Sequence, residues 1–354
     1  MPQTAREQQR RQAMKRFFIT GGAGFIGSAF VRMLMAQVSD CEVINFDVLT
    51  YAGNLDNLIG IEGKNYSFVR GDISEREDVM AALGPDVDAI INFAAESHVD
   101  RSIESADEFV RTNVLGTQVL LDCARARKVR RFVQVSTDEV MGSLVENDAA
   151  FFTEGSPFQP NSPYAASKAA AEHLVRAAHY TFGLDTVITR CGNNYGPRQF
   201  PEKFLPLIIA NAMNDEPIPI YGDGGNVRDW IYVDDHCRAI LTSLEQAAAG
   251  KTYNIGARNQ RRNLDVAKSV LDHLGKPHSL LTFVKDRPGH DRRYAIDPSL
   301  IESELGWKPR ETWEGGLGKT IDWYRNNAKW VERARSGAYR EFYARQYGNE
   351  VAAR

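Results

Sequence analysis

No apolar run in the 354-residue sequence is long enough to cross a bilayer as a helix. An excess of one charge is also missing: 43 Lys and Arg stand against 46 Asp and Glu, for a formal net charge of -3 and a pI of about 6.2. That balance carries no electrostatic footprint of a nucleic-acid binder or of a protein held on an anionic membrane. Cysteine is scarce, at Cys41, Cys123, Cys191 and Cys237. None forms a CxxC pair, and no Cys/His cluster has zinc spacing, so no disulfide framework and no metal site is expected. Three of the four (all but Cys41) lie in apolar segments, and a reduced, cytoplasmic protein is the simplest reading. The opening MPQTAREQQRRQA lacks the apolar stretch of a secretory signal. It is basic enough for a transit peptide, but the simpler expectation for residues 1–13 is a disordered extension, with folding from Met14.

What is present is a globular composition, 43% hydrophobic and 25% charged. From Lys15 short β-rich apolar runs alternate with helical stretches. RFFIT, EVINFD, SFVRGD, AIINFA, RFVQVS and DTVITR each read as a strand buried on both faces. Between them lie helices such as SAFVRMLMAQ and TNVLGTQVLLDCARAR, the latter with Val114, Leu115, Val119, Leu120 and Cys123 as its apolar side. This alternation predicts an α/β fold with a doubly wound parallel sheet and right-handed crossovers. After Arg190 the pattern breaks into a Gly-, Pro- and Asn-rich loop, then a mixed region with a smaller α/β character. TYNIG reads as one more strand returning to the main sheet, and the C-terminal stretch is helical and aromatic.

FFITGGAGFIGS opens the fold with Gly21, Gly22, Gly24 and Gly27. The glycines follow a strand and open a helix, the context that a pyrophosphate at a helix N-terminus requires. Asp47 ends the second strand, 20 residues past Gly27. An acid there can bond the ribose hydroxyls of NAD and would repel a 2′-phosphate, so NAD is expected over NADP. Asp72 ends the third strand, where it can meet an adenine amino group or cap a helix. The expected division is residues 14–192 for the NAD-binding domain, with 231–257 returning to it. Residues 193–230 and 258–354 then form mainly the substrate-binding domain and the C-terminal helices.

Tyr164 and Lys168 are four apart in SPYAASK and share one helix face. An ammonium there would lower the phenol's pKa and let it take a proton from a sugar hydroxyl. Just upstream, STDEV sets Thr137, Asp138 and Glu139 in a row after a buried strand. Neighbours in a regular strand face opposite ways. Both acids can serve one site only if the strand ends near Thr137 and the chain curls.

With these motifs the chain resembles the extended short-chain dehydrogenase/reductase superfamily, and within it the nucleotide-sugar 4,6-dehydratases. The resemblance runs from about Lys15 to the C-terminus. LTYAGNLDNL, NFAAESHVDRSI, STDEV, SPYAASK, NNYGPRQFPEK, NVRDWIYVDDH and DRPGHDRRYAID carry it. It implies a lyase that oxidises C4 of a nucleotide sugar, eliminates water across C5 and C6, and returns the hydride to C6. Tyr164, with Thr137 in its hydrogen-bond network and Lys168 beside it, would work at C4. Asp138 would be the acid and Glu139 the base, the surplus pair that an epimerase or decarboxylase does not need. Beside Gly21, Gly24, Gly27, Asp47, Asp72, Tyr164 and Lys168, the implied cofactor contacts are Phe25, Ile26, Ile73, Ala94, Ala95 and Ser97. The implied contacts to the nucleotide sugar are His98, Asn194, Glu202, Lys203, Arg228, Asn263, Arg287 and His290. DRPGHDRR would be four cations in eight residues if His290 counts. The expected sugar nucleotide is dTDP-glucose, with UDP-glucose or UDP-N-acetylglucosamine as alternatives, and a non-catalytic NAD-binding protein as the rival of another class. The Ala-rich helix with Tyr164 and Lys168, and the helix before it, are the expected homodimer faces. One position departs from the family: Met141 follows STDEV where Tyr is usual. It either alters sugar or nucleotide preference or simply repacks.

Overall fold

The structure, a computed structural model, describes residues 14–145 and 149–336. The expected N-terminal extension and the last 18 residues of the aromatic tail lie outside them. Seven parallel strands form the central sheet: β1 (Arg16–Thr20), β2 (Glu42–Asp47), β3 (Tyr66–Arg70), β4 (Ala89–Asn92), β5 (Arg131–Thr137), β6 (Thr186–Cys191) and β10 (Lys251–Ile255). Their spatial order is β10-β6-β5-β4-β1-β2-β3, so the winding reverses between β1 and β4. Ligands of such sheets bind beyond the carboxyl ends at this reversal.

The inner strands are buried because both faces are covered. The edge strand β3, expected to be buried on both faces, is only half-buried, with Ser67 and Arg70 exposed. In β1, Phe17 and Ile19 join one core cluster while Phe18 joins the cluster on the opposite face. One layer includes α1 (Phe25–Gln37) and α7 (Val233–Gln246), and the other α2 (Arg76–Ala82), α4 (Thr117–Ala126) and α5 (Pro163–Phe182). A short helix, α3 (Val99–Glu104), follows β4.

The helix entering α4 departs from expectation. Val110–Gly116 is a π-helix. Its wider turn breaks the 3.6-residue periodicity on which the apolar face was drawn. Leu115, expected inside, is therefore 50% exposed, while Val119, Leu120 and Cys123 are buried.

The second region is built on β7 (Asn193–Tyr195), β9 (Val227–Tyr232) and β11 (Gln260–Arg262), a three-stranded mixed sheet, and on β8 (Ile218–Tyr221) paired with β12 (Leu281–Val284). α6 (Phe204–Met213), α8 (Asn263–Leu274), α10 (Trp313–Asn326) and α11 (Ala328–Ala334) close their own apolar cluster around Tyr195, Trp230, Trp313 and Tyr324. The helix α9 (Ser299–Leu305) packs on the central core through Ile301. All four cysteines are buried and unpaired by disulfides.

Candidate active site

At the carboxyl ends of the strands lies a cavity of about 360 Å³. Gly21, Gly24, Phe25, Ile26 and Gly27 line one end, with Asp47, Asp72, Ile73, Ala94, Ala95 and Ser97 beside them. The glycines are there for fit. Gly21 has φ +70°, and a Cβ would meet the Ala94 nitrogen at 2.5 Å; at Gly27 a Cβ would meet the Gly21 carbonyl at 2.2 Å. The N-terminus of α1 has no side-chain cap and no acid in its first turn. Its N–H groups thus remain for an anion, as a dinucleotide pyrophosphate requires.

Asp47 is buried, and both oxygens take backbone N–H groups, from Leu49 at 2.8 Å and Ala23 at 2.9 Å. It shapes the turn, and its remaining lone pairs can accept from a ribose. Burial raises its pKa while the two backbone bonds oppose the rise. Asp72 accepts from Ser74 N and Oγ, each at 2.8 Å. The N-cap position of the following helix is Glu75, which makes no side-chain cap bond, so the helix-cap reading of Asp72 falls: its bonds close a local turn three residues before that position.

The other end of the cavity carries the reactive groups. β5 ends at Thr137, and Asp138–Met141 form a 3-10 turn with Thr137 as its N-cap, its hydroxyl accepting from Glu139 N at 3.2 Å. The turn brings Asp138 and Glu139 to one cavity wall, with Tyr164 and Lys168 of α5. The Thr137 hydroxyl donates to Asp138 Oδ1 at 3.3 Å. Asp138 is 1% exposed, and its Oδ2 has no partner among the described residues. Burial, then Glu139 and Asp229, push its pKa well up. Burial also raises Glu139, but Arg287, Arg228 and Lys203 pull it back. The two adjacent acids therefore differ in degree: both are raised, Asp138 well up and Glu139 with three cations opposing the rise.

Tyr164 differs from expectation. Its pKa is raised, by burial first and then by Glu139, Cys191 and Asp138. One turn on, Lys168 Nζ donates to the Val135 carbonyl at 2.7 Å. Burial lowers Lys168 to about 8 against the opposing pull of Glu172.

A second cavity, of about 170 Å³, shares Ser97, Glu139, Asn194, Glu202 and Lys203 with the first. His98, Arg228, Asn263, Arg287 and His290 complete the expected set around it. Arg287 donates to Asp100 at 2.9 Å, and Arg228 to the Asp291 carbonyl at 3.0 Å. Lys203 Nζ donates to the Ser97 carbonyl at 2.6 Å. His98 is held neutral by burial and the cations Lys203, Arg101 and Arg287. His290 does not count as a cation: burial, Arg287 and Arg228 lower it to about 4. Arg292 is engaged by Asp223. Asn194 donates its amide N–H groups to Gly192 O and Cys191 Sγ, and its Oδ1 accepts from His236 Nδ1 at 2.8 Å.

Met141 lines neither cavity. It is buried with Phe152, Ala169, Tyr294 and Ile296, and Arg190 donates to its sulfur at 3.8 Å. Of the two readings left open, the packing one fits. The sequence reading missed Cys191, Gln199, Phe200 and Asp100 as lining groups. Cys191 pairs in register with Thr137 at the strand ends, a signal available once β5 and β6 are set side by side. Among the described residues no group of three His, Cys, Asp or Glu could hold a metal.

Residues 18–320 match the family model described as GDP-mannose 4,6 dehydratase. A dTDP-glucose 4,6-dehydratase of Xanthomonas campestris is 50% identical over 92% of this chain and 98% of that protein. One from Escherichia coli is 46% identical over 94% and 99%. The crystal structure of DesIV, a dTDP-glucose 4,6-dehydratase from Streptomyces venezuelae solved with NAD bound, is similar at a TM-score of 0.87 and 50% identity, covering 90% of this chain and 99% of that one.

Proposed function

Because the chain belongs to the GDP-mannose 4,6 dehydratase family and is 46–50% identical to dTDP-glucose 4,6-dehydratases over nearly their whole length, we infer that it is a hydro-lyase of that kind. It uses NAD and converts dTDP-glucose to the 4-keto-6-deoxy sugar. The observation that carries the catalytic reading is the 3-10 turn that sets Asp138 and Glu139 together beside Tyr164.

The glycine turn, the open end of α1 and Asp47 would hold NAD. Bound NAD supplies the hydride acceptor and donor and, when oxidised, a positive ring. Tyr164 takes the proton of the C4 hydroxyl, with Thr137 beside it on the cavity wall. The ketone formed at C4 acidifies the C5 proton, and Glu139 removes it. Asp138 gives its proton to the departing C6 hydroxyl, which leaves as water. The C5–C6 double bond is then reduced, C6 taking a hydride and C5 a proton from Glu139. Each positioned acid or base is worth about 10²–10⁴-fold. Arg228, Arg287 and Lys203 supply cations for the diphosphate, and neutral His98 and His290, with Asn263, supply polar edges.

No helix among the described residues is long and apolar enough to cross a membrane. Placement in the cytoplasm and assembly as a homodimer belong to the same proposal. They are supported by four cysteines without a disulfide and by exposed apolar side chains beside α5.

The test is incubation with dTDP-glucose in D₂O, followed by NMR. A 4-keto-6-deoxy product with deuterium at C5 is expected. Turnover of a UDP-sugar in its place would reassign the substrate. No turnover on any sugar of a panel, with NAD bound, would remove the enzymatic reading.

A further inference from the structure

The dehydratase returns its hydride to the same sugar, so the cofactor serves unchanged from one turnover to the next. A site of this kind gains from holding NAD in place. The loop between β2 and the next helical turn forms the rim of the cofactor cavity, through Val48, Thr50, Ala52 and Gly53. Its backbone is tightly bent. Leu49 has φ +59° and bonds Asp47 Oδ1, and Gly53 N–H bonds the Thr50 carbonyl at 3.0 Å.

Tyr51, at the tip of this bend, reaches the opposite wall. Its ring meets Phe200 edge-on, with centroids 5.8 Å apart and planes at 74°. The Arg101 guanidinium lies 3.9 Å from the Tyr51 ring centroid. Burial first, and then the charge of the Glu202 carboxylate, raise the pKa of the Tyr51 hydroxyl. Glu202 is itself 3.3 Å from Arg101 and 4.0 Å from His98 Nε2. Tyr51 belongs to no core cluster, so these contacts join two rims instead of filling an interior.

We propose that Tyr51 is a positioning residue of the cofactor site, a latch that fastens the 48–54 loop to the Phe200–Glu202 wall and sets how long NAD stays bound. The proposal rests on the reading that the larger cavity holds NAD. Because Glu202 also lines the smaller cavity, the latch stands where cofactor and nucleotide sugar meet. NAD cannot leave across this rim until the Tyr51 ring parts from Phe200 and Arg101.

The experiment uses the full chain loaded with NAD. Release is followed by rapid dilution and ultrafiltration, with NAD quantified in the retained fraction, for the wild type, Tyr51→Phe and Tyr51→Ala. A cation–π contact is worth roughly 2- to 30-fold in an equilibrium. Tyr51→Phe keeps the ring and with it the contacts to Phe200 and Arg101. It is expected to release NAD at the wild-type rate, with the same unfolding midpoint as the wild type when both are free of NAD. Tyr51→Ala removes the ring and is expected to release NAD about tenfold faster. A wild-type release rate in Tyr51→Ala would overturn the latch while leaving the cofactor reading intact. A wild-type protein that neither retains NAD nor takes it up in a titration would overturn the cofactor reading itself.

Discussion

Asp138 and Glu139 are neighbours with opposite duties, and their surroundings separate them. Asp138 is sealed away from solvent with an unpartnered oxygen, whereas Glu139 faces three cations. Glu139→Gln is expected to remove C5 deuterium exchange and to cut turnover about 10²–10⁴-fold, measured by NMR in D₂O. Single-turnover absorbance of reduced nicotinamide should still appear, since C4 oxidation does not need Glu139. The pH profile follows from the same pair. Rate falls with falling pH as Glu139 becomes protonated, and falls with rising pH as Asp138 loses its proton. Asp138 also has a stability consequence. Its folded-state pKa lies above its unfolded value, so its contribution is fully present below the unfolded pKa and is lost as pH rises through the folded one. At neutral pH the unfolded chain gains by ionising this carboxyl and the folded chain does not. Asp138→Asn should therefore unfold at a higher temperature than the wild type at pH 8, with the gap closing as pH falls toward 4. A variant less stable than the wild type at pH 8 would sink this account.

The 3-10 turn that presents the acids ends at Gly142, which has φ +82° and ψ -146°. A Cβ there would lie 2.3 Å from the Gln159 carbonyl. Gly142→Ala is expected to cost about 1–3 kcal/mol of stability and to lower kcat more than it raises KM, because the turn that aims Asp138 and Glu139 must shift. Denaturant titration and steady-state kinetics check both. Elements of this kind differ in how far the sequence discloses them. The buried strands were legible because an apolar, β-branched run bounded by helical stretches has few other homes. The end of β5 at Thr137 was legible from a requirement: two adjacent acids on a strand face apart, and the chemistry needs them together. The π-helix at Val110–Gly116 was not, since one widened turn leaves composition unchanged and reveals itself only in a tertiary contact. That contact is Asn113, which bonds Glu96 N at 2.9 Å and Ser167 Oγ at 2.8 Å. The raised pKa of Tyr164 was hidden for a similar reason. Spacing places Lys168 near it, but only the fold shows how deeply the phenol is buried and which acids face it.

For the whole molecule, the parallel sheet brings the two ends of the chain's chemistry to one edge, and the outer layer of helices decides what else the protein touches. Val110 and Leu115 on the π-turn, 55% and 50% exposed, and Tyr180 and Phe182 at the end of α5, 67% and 52% exposed, leave apolar surface on neighbouring helices. The widened turn is what puts Leu115 outside. Large apolar side chains on a helix pair of this length are the material of a helix-to-helix interface, which for a stable dimer covers about 1,600 Å² in total. The homodimer proposed above would use this face, so light scattering at micromolar concentration should give twice the 39.6 kDa of the chain. Leu115→Arg places a charge in that interface without touching either cavity, as Leu115 lines neither. It is expected to weaken association by roughly 100-fold or more and to leave a folded monomer of unchanged circular dichroism. Because α5 carries Tyr164 and Lys168 on its inner side, a partner helix against its outer side would stiffen it. The monomer should then lose kcat more than NAD affinity. A wild-type chain that runs as a monomer would remove the interface. A Leu115→Arg dimer would move it to another face of the same layer.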